Sequence, residues 1–440
     1  MHRALGSVVR EYWDQVRGAG RNARLYLAGL FLIGFGQSIF SLLFNLYLRA
    51  LGFSDAGIGQ IISKISLGAA VAAIPVALLF RTTEARVILV GSGALCAAIS
   101  ILQATLVQPE LLLLVAFFSG TALTVYRLSI APVVMRDVAE PARPFLFSAA
   151  FTILVVAAIV GSAAGGFLPR LFHAFTPSDR LALRWSLWVS AAVTLLCAIP
   201  FQRMTEPPRP ADPAPASEGL PPGVLVERRL RGAWRQMRDL VDVDWGLELK
   251  LVLPSVLIGL GAGLIIPFLN LYFRDRFGLS EAGIGLLFSA MQLFMVAGNL
   301  FGPAVSRRMG LVRGVVTTQL LSVPFMVALA LSTWFPLVSL AFFLRSALMN
   351  MNQPLSSHFA MEVVPKRDHA ITNSLLSLSW YLAWSVSADV GGALIERKGY
   401  TEPLLVAAAL YVGASVLYWY FFKDVEEGRV PRAEVEIPNA

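Results

Sequence analysis

Continuous apolar stretches of helix length recur so often along this chain that a water-soluble core has no room for them. Twelve such runs lie near 25–48, 56–79, 87–106, 111–135, 146–169, 182–201, 250–272, 281–304, 314–333, 337–361, 370–394 and 402–422. Each matches the ~20 residues that a helix needs to cross a hydrocarbon layer of about 30 Å. They are apolar throughout and do not alternate over the ~10 residues of a barrel strand, so the backbone must satisfy its own hydrogen bonds as helix. Composition agrees, with 56% of the 440 residues hydrophobic and 15% charged, where an ordinary soluble domain is about a quarter charged.

A net charge of +8 would suit nucleic acid, but the placement of the basic residues excludes that partner. With the N-terminus inside, 25 of the 36 Lys and Arg fall on the cytoplasmic side, 8 outside and 3 within spans. That asymmetry predicts a multi-pass protein of the cell membrane, the inner membrane in a bacterium, with both termini cytoplasmic. Residues 1–24 lack the apolar core and cleavage site of a signal peptide and read as an amphipathic cytoplasmic segment. The apolar pattern breaks in 204–247, Pro-rich in front and Arg-rich behind, where a linker with a membrane-surface helix is expected. Bundles of six spans, 25–203 and 248–422, flank it, and 423–440 forms a tail. Cys96 and Cys197 sit inside apolar runs and read as small hydrophobes.

The two halves repeat each other. "NLYLRALGFSDAGIGQ" at Asn45 returns as "NLYFRDRFGLSEAGIGL" at Asn270, an offset of 225. "AFFSGTAL" at 116 matches "AFFLRSAL" at 341, and Gly165 and Gly166 match Gly391 and Gly392. The fold expected is all-α and integral to the membrane, twelve transmembrane helices as two six-helix bundles in a parallel repeat.

Twelve helices as six plus six, a basic cytoplasmic linker and a parallel repeat resemble the major facilitator superfamily over nearly the whole chain. That family's loop after the second span, Gly-x-x-x-Asp-Arg-x-Gly-Arg-Arg, is represented by "PVALLFRTTEAR", which keeps Arg81 and Arg86 without the acid. "GPAVSRRMG" in the second half has Ser306 at the acidic position. "GSAAGG", Gly161 to Gly166, is similar to the Gly-Pro-x-x-Gly-Gly signature of exchanging exporters, with Ser162 in place of proline, and "SADVGG", Ser387 to Gly392, is its counterpart. Close helix packing at small residues is the other reading of both stretches.

Ionisable groups in hydrocarbon cost several kcal/mol and point to function. Lys64, Arg127, Arg345 and Asp389 are the clear cases. The resemblance places helices one, four, seven and ten around a central cavity, and with them Arg127 and Arg345, whose guanidinium forks suit carboxylate or phosphate. Helix ten sets Arg345, Met349, Asn352 and Ser356 on one stripe and Ser346, Asn350, Gln353 and Ser357 beside it, which predicts a wet face. Gln37, Ser41 and Asn45 form a stripe on helix one, and Asn270 is the repeat mate of Asn45. Trp380, Tyr381 and Trp384 on helix eleven suit either a hydrophobic substrate or the lipid.

Lys64 and Asp389 lie about 12 Å and about 8 Å below the outer boundary. An ion pair between them would close an outer gate, with Arg345 as rival partner for Asp389. As the one carboxylate read deep inside a span, Asp389 is also the first candidate to carry a coupling proton. No reactive cluster, metal-ligand set or phosphate loop appears, so an enzyme is not expected, nor a cofactor or metal. The whole predicts a monomeric secondary transporter working by alternating access. Its cargo is read as small organic molecules, anionic or amphipathic, exported with possible proton coupling; a lipid flippase or a nutrient importer on the same fold is the alternative.

Overall fold

The computed structural model of the chain describes residues 20–137, 143–205 and 243–426. The expected amphipathic helix near the start, the surface helix of the linker and the tail beyond 426 lie outside the described residues. Twelve long helical elements follow in order. The first six are α1 (Arg21–Ala50), α2 (Asp55–Thr82), α3 (Ala85–Thr105), α4 (Pro109–Leu128, resumed as Ile130–Asp137), α5 (Arg143–Phe172) and α6 (Asp179–Leu196, resumed as Ala198–Gln202). After the linker come α7 (Trp245–Ile265, a 3-10 turn Ile266–Phe268, then Leu269–Phe277), α8 (Glu281–Met309), α9 (Leu311–Leu331), α10 (Phe335–Val363), α11 (His369–Lys398) and α12 (Thr401–Glu426). Among the described residues there is no strand. Ten of these elements are long and apolar enough to cross a membrane; α10 and α11 are as long but more polar.

The repeated phrase folds twice in the same way. Ser54 and Ser280 cap α2 and α8 by accepting from the backbone N–H of Gly57 and Gly283, each at 3.3 Å. Asp55 and Glu281 follow in the first turn, where a helix favours negative charge. The chain enters both caps through a left-handed glycine, Gly52 (φ +92°) and Gly278 (φ +63°), a conformation that costs other residues dearly.

Within the first half α1 packs on α5 and α6, and α2 on α4; within the second α7 packs on α11 and α12, and α8 on α10. The halves meet along two seams, α2 against α11 and α5 against α8. Both are crossings of glycine backbones. A β-carbon on Gly59 would stand 2.5 Å from the Ala388 carbonyl oxygen, and one on Gly392 2.3 Å from that of Asp55. On the second seam one on Gly166 would stand 2.5 Å from the Glu281 oxygen, and one on Gly285 2.4 Å from that of Ser162. Gly166 and Gly392 are the ends of "GSAAGG" and "SADVGG", so in this structure those glycines serve close packing between halves.

Replacing Gly392 by Val forces the α2–α11 seam apart and destabilises the protein by about 1–3 kcal/mol, the usual cost of overpacking. Ser63 and Ser385 hydroxyls lie 2.9 Å apart across the same seam. Disulfide formation in Ser63→Cys/Ser385→Cys therefore falls several-fold when Gly392→Val is added, which gel mobility measures.

Candidate functional site

One end of the molecule, holding the α1–α2 and α7–α8 turns, is closed; the opposite end carries the linker. Asn45 Nδ2 donates to the Pro267 carbonyl (2.7 Å), and Asn270 Nδ2 donates to the Leu42 carbonyl (2.9 Å). Position 267 is 42 plus 225, so these are one bond written twice about a two-fold axis. Asn45 Nδ2 also reaches Asn270 Oδ1 at 3.4 Å. Tyr47 Oη donates to the Ala104 carbonyl (2.6 Å) and Tyr272 Oη to the Leu329 carbonyl (2.7 Å), a second such pair that fixes each asparagine-bearing turn to its own half.

Charges ring this closure at its rim. Arg49 pairs with Asp55 of its own half and lies 3.5 Å from Asp275 of the other. Arg274 pairs with Glu281 at 3.1 Å, and Glu396 accepts from the Ala56 N–H at 3.0 Å. Tyr400 Oη donates to Asp275 at 2.6 Å; burial and that carboxylate together push the phenol far above its ordinary range.

Below the asparagines a cavity of ≈ 700 Å³ opens between the halves. Its walls come from α1, α2, α4, α5, α7, α8 and α11. They carry aromatic rings on two sides: Phe40 and Phe44 stack at 4.7 Å on one, and Trp380 and Trp384 lie 5.8 Å apart on the other. Arg127 is the one cation in this lining among the described residues, and the lining contains no carboxylate. Its guanidinium is exposed to the cavity and faces the hydroxyls of Tyr126 and Tyr381, one from each half. Gln37 lines the same space with its Nε2 buried and without a partner, while Ser41 is exposed to it. A lone cation, an unused amide donor and ring faces together suit an anion with an apolar body.

The structure thus brings together Gln37, Ser41, Asn45, Arg127, Asn270 and Trp384, and leaves Arg345, Asn352 and Gln353 elsewhere. Helix α10 contributes nothing to the cavity wall. Its polar stripe faces into its own half, where Asn352 Nδ2 donates to the Val315 carbonyl (2.9 Å) and Thr318 (3.1 Å), and Asn352 Oδ1 accepts from Gln319 (3.3 Å). Arg345 is 3% exposed and donates to Tyr411 Oη at 3.3 Å, not to Asp389. Gln353 is exposed away from the cavity. Of the expected wet face of α10, the stripe of Arg345 and Asn352 is a buried hydrogen-bonded core of the second half, while Gln353 and Ser357 are exposed.

Lys64 and Asp389 are not brought together either; no ion pair joins them within 4.0 Å among the described residues. The reason is register. Antiparallel packing sets Gly59 beside Ala388 and Ser63 beside Ser385, so Lys64 comes level with Trp384 and Asp389 lies more than a turn away. Both also project from the faces opposite the cavity, Asp389 in line with exposed Leu382 and Val386, and Lys64 in line with exposed Val71. The Arg49 cluster and the asparagine pair occupy the closure instead. The aromatic residues of α11 that suited lipid as well as a substrate, Trp380, Tyr381 and Trp384, turn into the cavity. Tyr126 escaped the sequence reading because an aromatic beside an arginine carries no signal of its own.

The sequence description of the Major Facilitator Superfamily matches residues 26–254 and, a second time, 251–439. The chain belongs to that superfamily, and is a multi-pass membrane transporter. A Na(+), Li(+), K(+)/H(+) antiporter of Planococcus maritimus is 26% identical over 196 residues, 42% of this chain and 45% of that protein, so the match spans under half of the relative's length. Among solved structures, a bacterial homologue of the human lysosomal transporter Spinster, inward-facing and unoccupied, superposes with a TM-score of 0.74 at 13% identity, covering 94% of this chain and 98% of the other. The nucleoside transporter NupG does so at 0.69 and 14%, over 92% and 99%. A bacterial homologue of the iron transporter ferroportin, also inward-facing, gives 0.63 at 16%, over 91% and 98%. At such identities the likeness is one of fold.

Because the two asparagine bonds are equivalent, Asn45→Ala and Asn270→Ala each cost about 1 kcal/mol. The double variant costs less than the sum, since the two amides also touch one another. Denaturation of the purified protein, followed for the three variants, checks both statements.

Proposed function

We propose that the chain exports small organic anions with an apolar or amphipathic body, by alternating access and in exchange for protons. The observation that carries the anionic preference is Arg127, the sole described charge in the cavity lining, set among aromatic rings. Among the described residues, the hydrogen bonds between halves given above lie in the closed half of the bundle, apart from Arg127 with Tyr381 near its middle. The basic residues collect at the linker end, which the positive-inside rule makes cytoplasmic. On that orientation the state described is open toward the cytoplasm, the state also named for the Spinster and ferroportin homologues. Exchange with protons is supported by the printed activity of the Planococcus relative. Rocking of two similar halves about a central site is the motion such a duplication permits.

Efflux from proteoliposomes loaded with a panel of aromatic carboxylates, lysolipids and cationic drugs, under imposed pH gradients, tests the reading. Carboxylate efflux driven by inward protons is expected. Preference for cationic drugs overturns the anion reading, transport of lysolipids alone favours the flippase, and accumulation of carboxylate inside favours an importer. Arg127→Gln lowers kcat/KM for the anion by roughly tenfold to a hundredfold, the worth of a hydrogen bond to a charged group. Arg127→Lys keeps the charge without the fork and recovers part of it.

A further inference from the structure

A second buried polar cluster lies away from the cavity, at the linker end of the contact between α7 and α11. Glu248, in the first turn of α7, is 3% exposed. Thr372, in the first turn of α11, places Oγ1 at 2.5 Å from its Oε1. The other oxygen, Oε2, is buried and has no partner. The ionisable neighbours are acids. Asp368, 5% exposed, precedes α11, Asp244 caps α7, and the charges of both bear on Glu248. Around them Arg367 is 3.6 Å from Asp368, and His369 Nε2 bonds the Val364 carbonyl. Lys366, in the 3-10 turn before α11, and Lys250, on α7, are exposed. Helix α12, which also packs on α7, contributes Tyr418 and Phe422 to the adjoining apolar cluster and carries Lys423 and Asp424 in its last turn.

A carboxylate buried beside two acids, with one oxygen lacking a donor, is a costly anion. One added proton removes that cost. Thr372 Oγ1 has a single hydrogen and two acceptors in reach, Glu248 Oε1 at 2.5 Å and the Asp368 carbonyl at 3.1 Å. With Glu248 ionised, the hydroxyl hydrogen goes to the carboxylate and the carbonyl of Asp368, the N-cap residue of α11, loses the hydroxyl as its side-chain donor. With Glu248 protonated, the carboxyl donates to Thr372 Oγ1, whose own hydrogen then turns to the carbonyl. No bond is made or broken apart from the O–H that the incoming proton forms. The first half has no equivalent, since the mates of Glu248 and Thr372 are Ala23 and Leu146.

We propose that Glu248, with Thr372 as its hydrogen-bond partner, is a proton-binding site and the proton carrier of the exchange proposed above, a role that rests on that reading. Its place explains how occupancy reaches the cavity. Helix α11 carries Thr372 in its first turn and, about 13 Å and about 18 Å further along, Tyr381 and Trp384 in the cavity wall. Helix α7 carries Glu248 at one end and Pro267 and Asn270 of the closure at the other. Switching one hydrogen bond between these two helices acts on both.

Infrared difference spectra between acid and alkaline pH, recorded on the full chain in proteoliposomes without substrate, test the site. A carbonyl stretch from a buried protonated carboxyl is expected, absent in Glu248→Gln and present in Asp389→Asn. A band that survives Glu248→Gln overturns the assignment. So does its loss when Na+ or K+ is added at fixed pH, which would mark a metal cation as the occupant. Where Glu248→Gln does not fold, Thr372→Val serves: the band must persist at a shifted frequency, and an unmoved band refutes the pairing. The band needs no transport to be seen, so failure of proton-driven efflux in a protein that shows it counts against the exchange reading alone.

Discussion

Two places where polypeptide backbones touch govern this molecule: Gly59 against Ala388 and Gly392, and Gly285 against Gly166 and Ser162. In a bilayer the apolar effect does little to hold one helix on another, because lipid chains are as apolar as leucine; small residues that admit close approach do it instead. The seams are small and smooth, and few directed bonds cross them. Exposed ion pairs such as Arg49 with Asp275 add little in water. The asparagine bonds and the serine pair Ser63–Ser385 supply most of the directional contact near the closed end. A joint of that kind holds two bundles in register with few bonds to break, and α10 satisfies Arg345 and Asn352 wholly within its own half.

How much of this could be read from the sequence follows from what periodicity reports. Twelve apolar runs fix helices because a bilayer allows nothing else, and the repeat gives the two-fold, so even the pairing of Asn45 with Asn270 was foreshadowed by their shared offset. A helical stripe, however, says which residues share a face and not what the face meets. The stripe of Arg345 and Asn352 was polar for the sake of Gln319, Thr318 and Tyr411, three partners on other helices. Depth alone matched Lys64 with Asp389, but the register of two antiparallel helices is set by where glycines allow contact, and that moved the pair apart. Glu248 was passed over because, three residues inside a helix start, it resembled the ordinary acid that favours a helix N-terminus; only its burial against Thr372 distinguishes it.

The duplicated and the unduplicated residues divide the work. Residues that recur at the 225 offset, Asn45 and Asn270, Tyr47 and Tyr272, Arg49 and Arg274, all make closure or hold a turn in place, and each has a mate doing the same. The chemically distinctive groups have no mate of their own kind. Arg127 stands opposite Asn352 in the alignment of the halves, and Glu248 opposite Ala23. A symmetric hinge moves both halves alike, so a symmetric charge arrangement would respond alike at the two sides of the cavity. Placing the cation on α4 of the first half and the buried carboxyl on α7 of the second breaks that equivalence. Helix α11 touches both, through Tyr381 at Arg127 and Thr372 at Glu248, and in the proposed exchange it is the element that would link a proton bound at the linker end to the cavity wall.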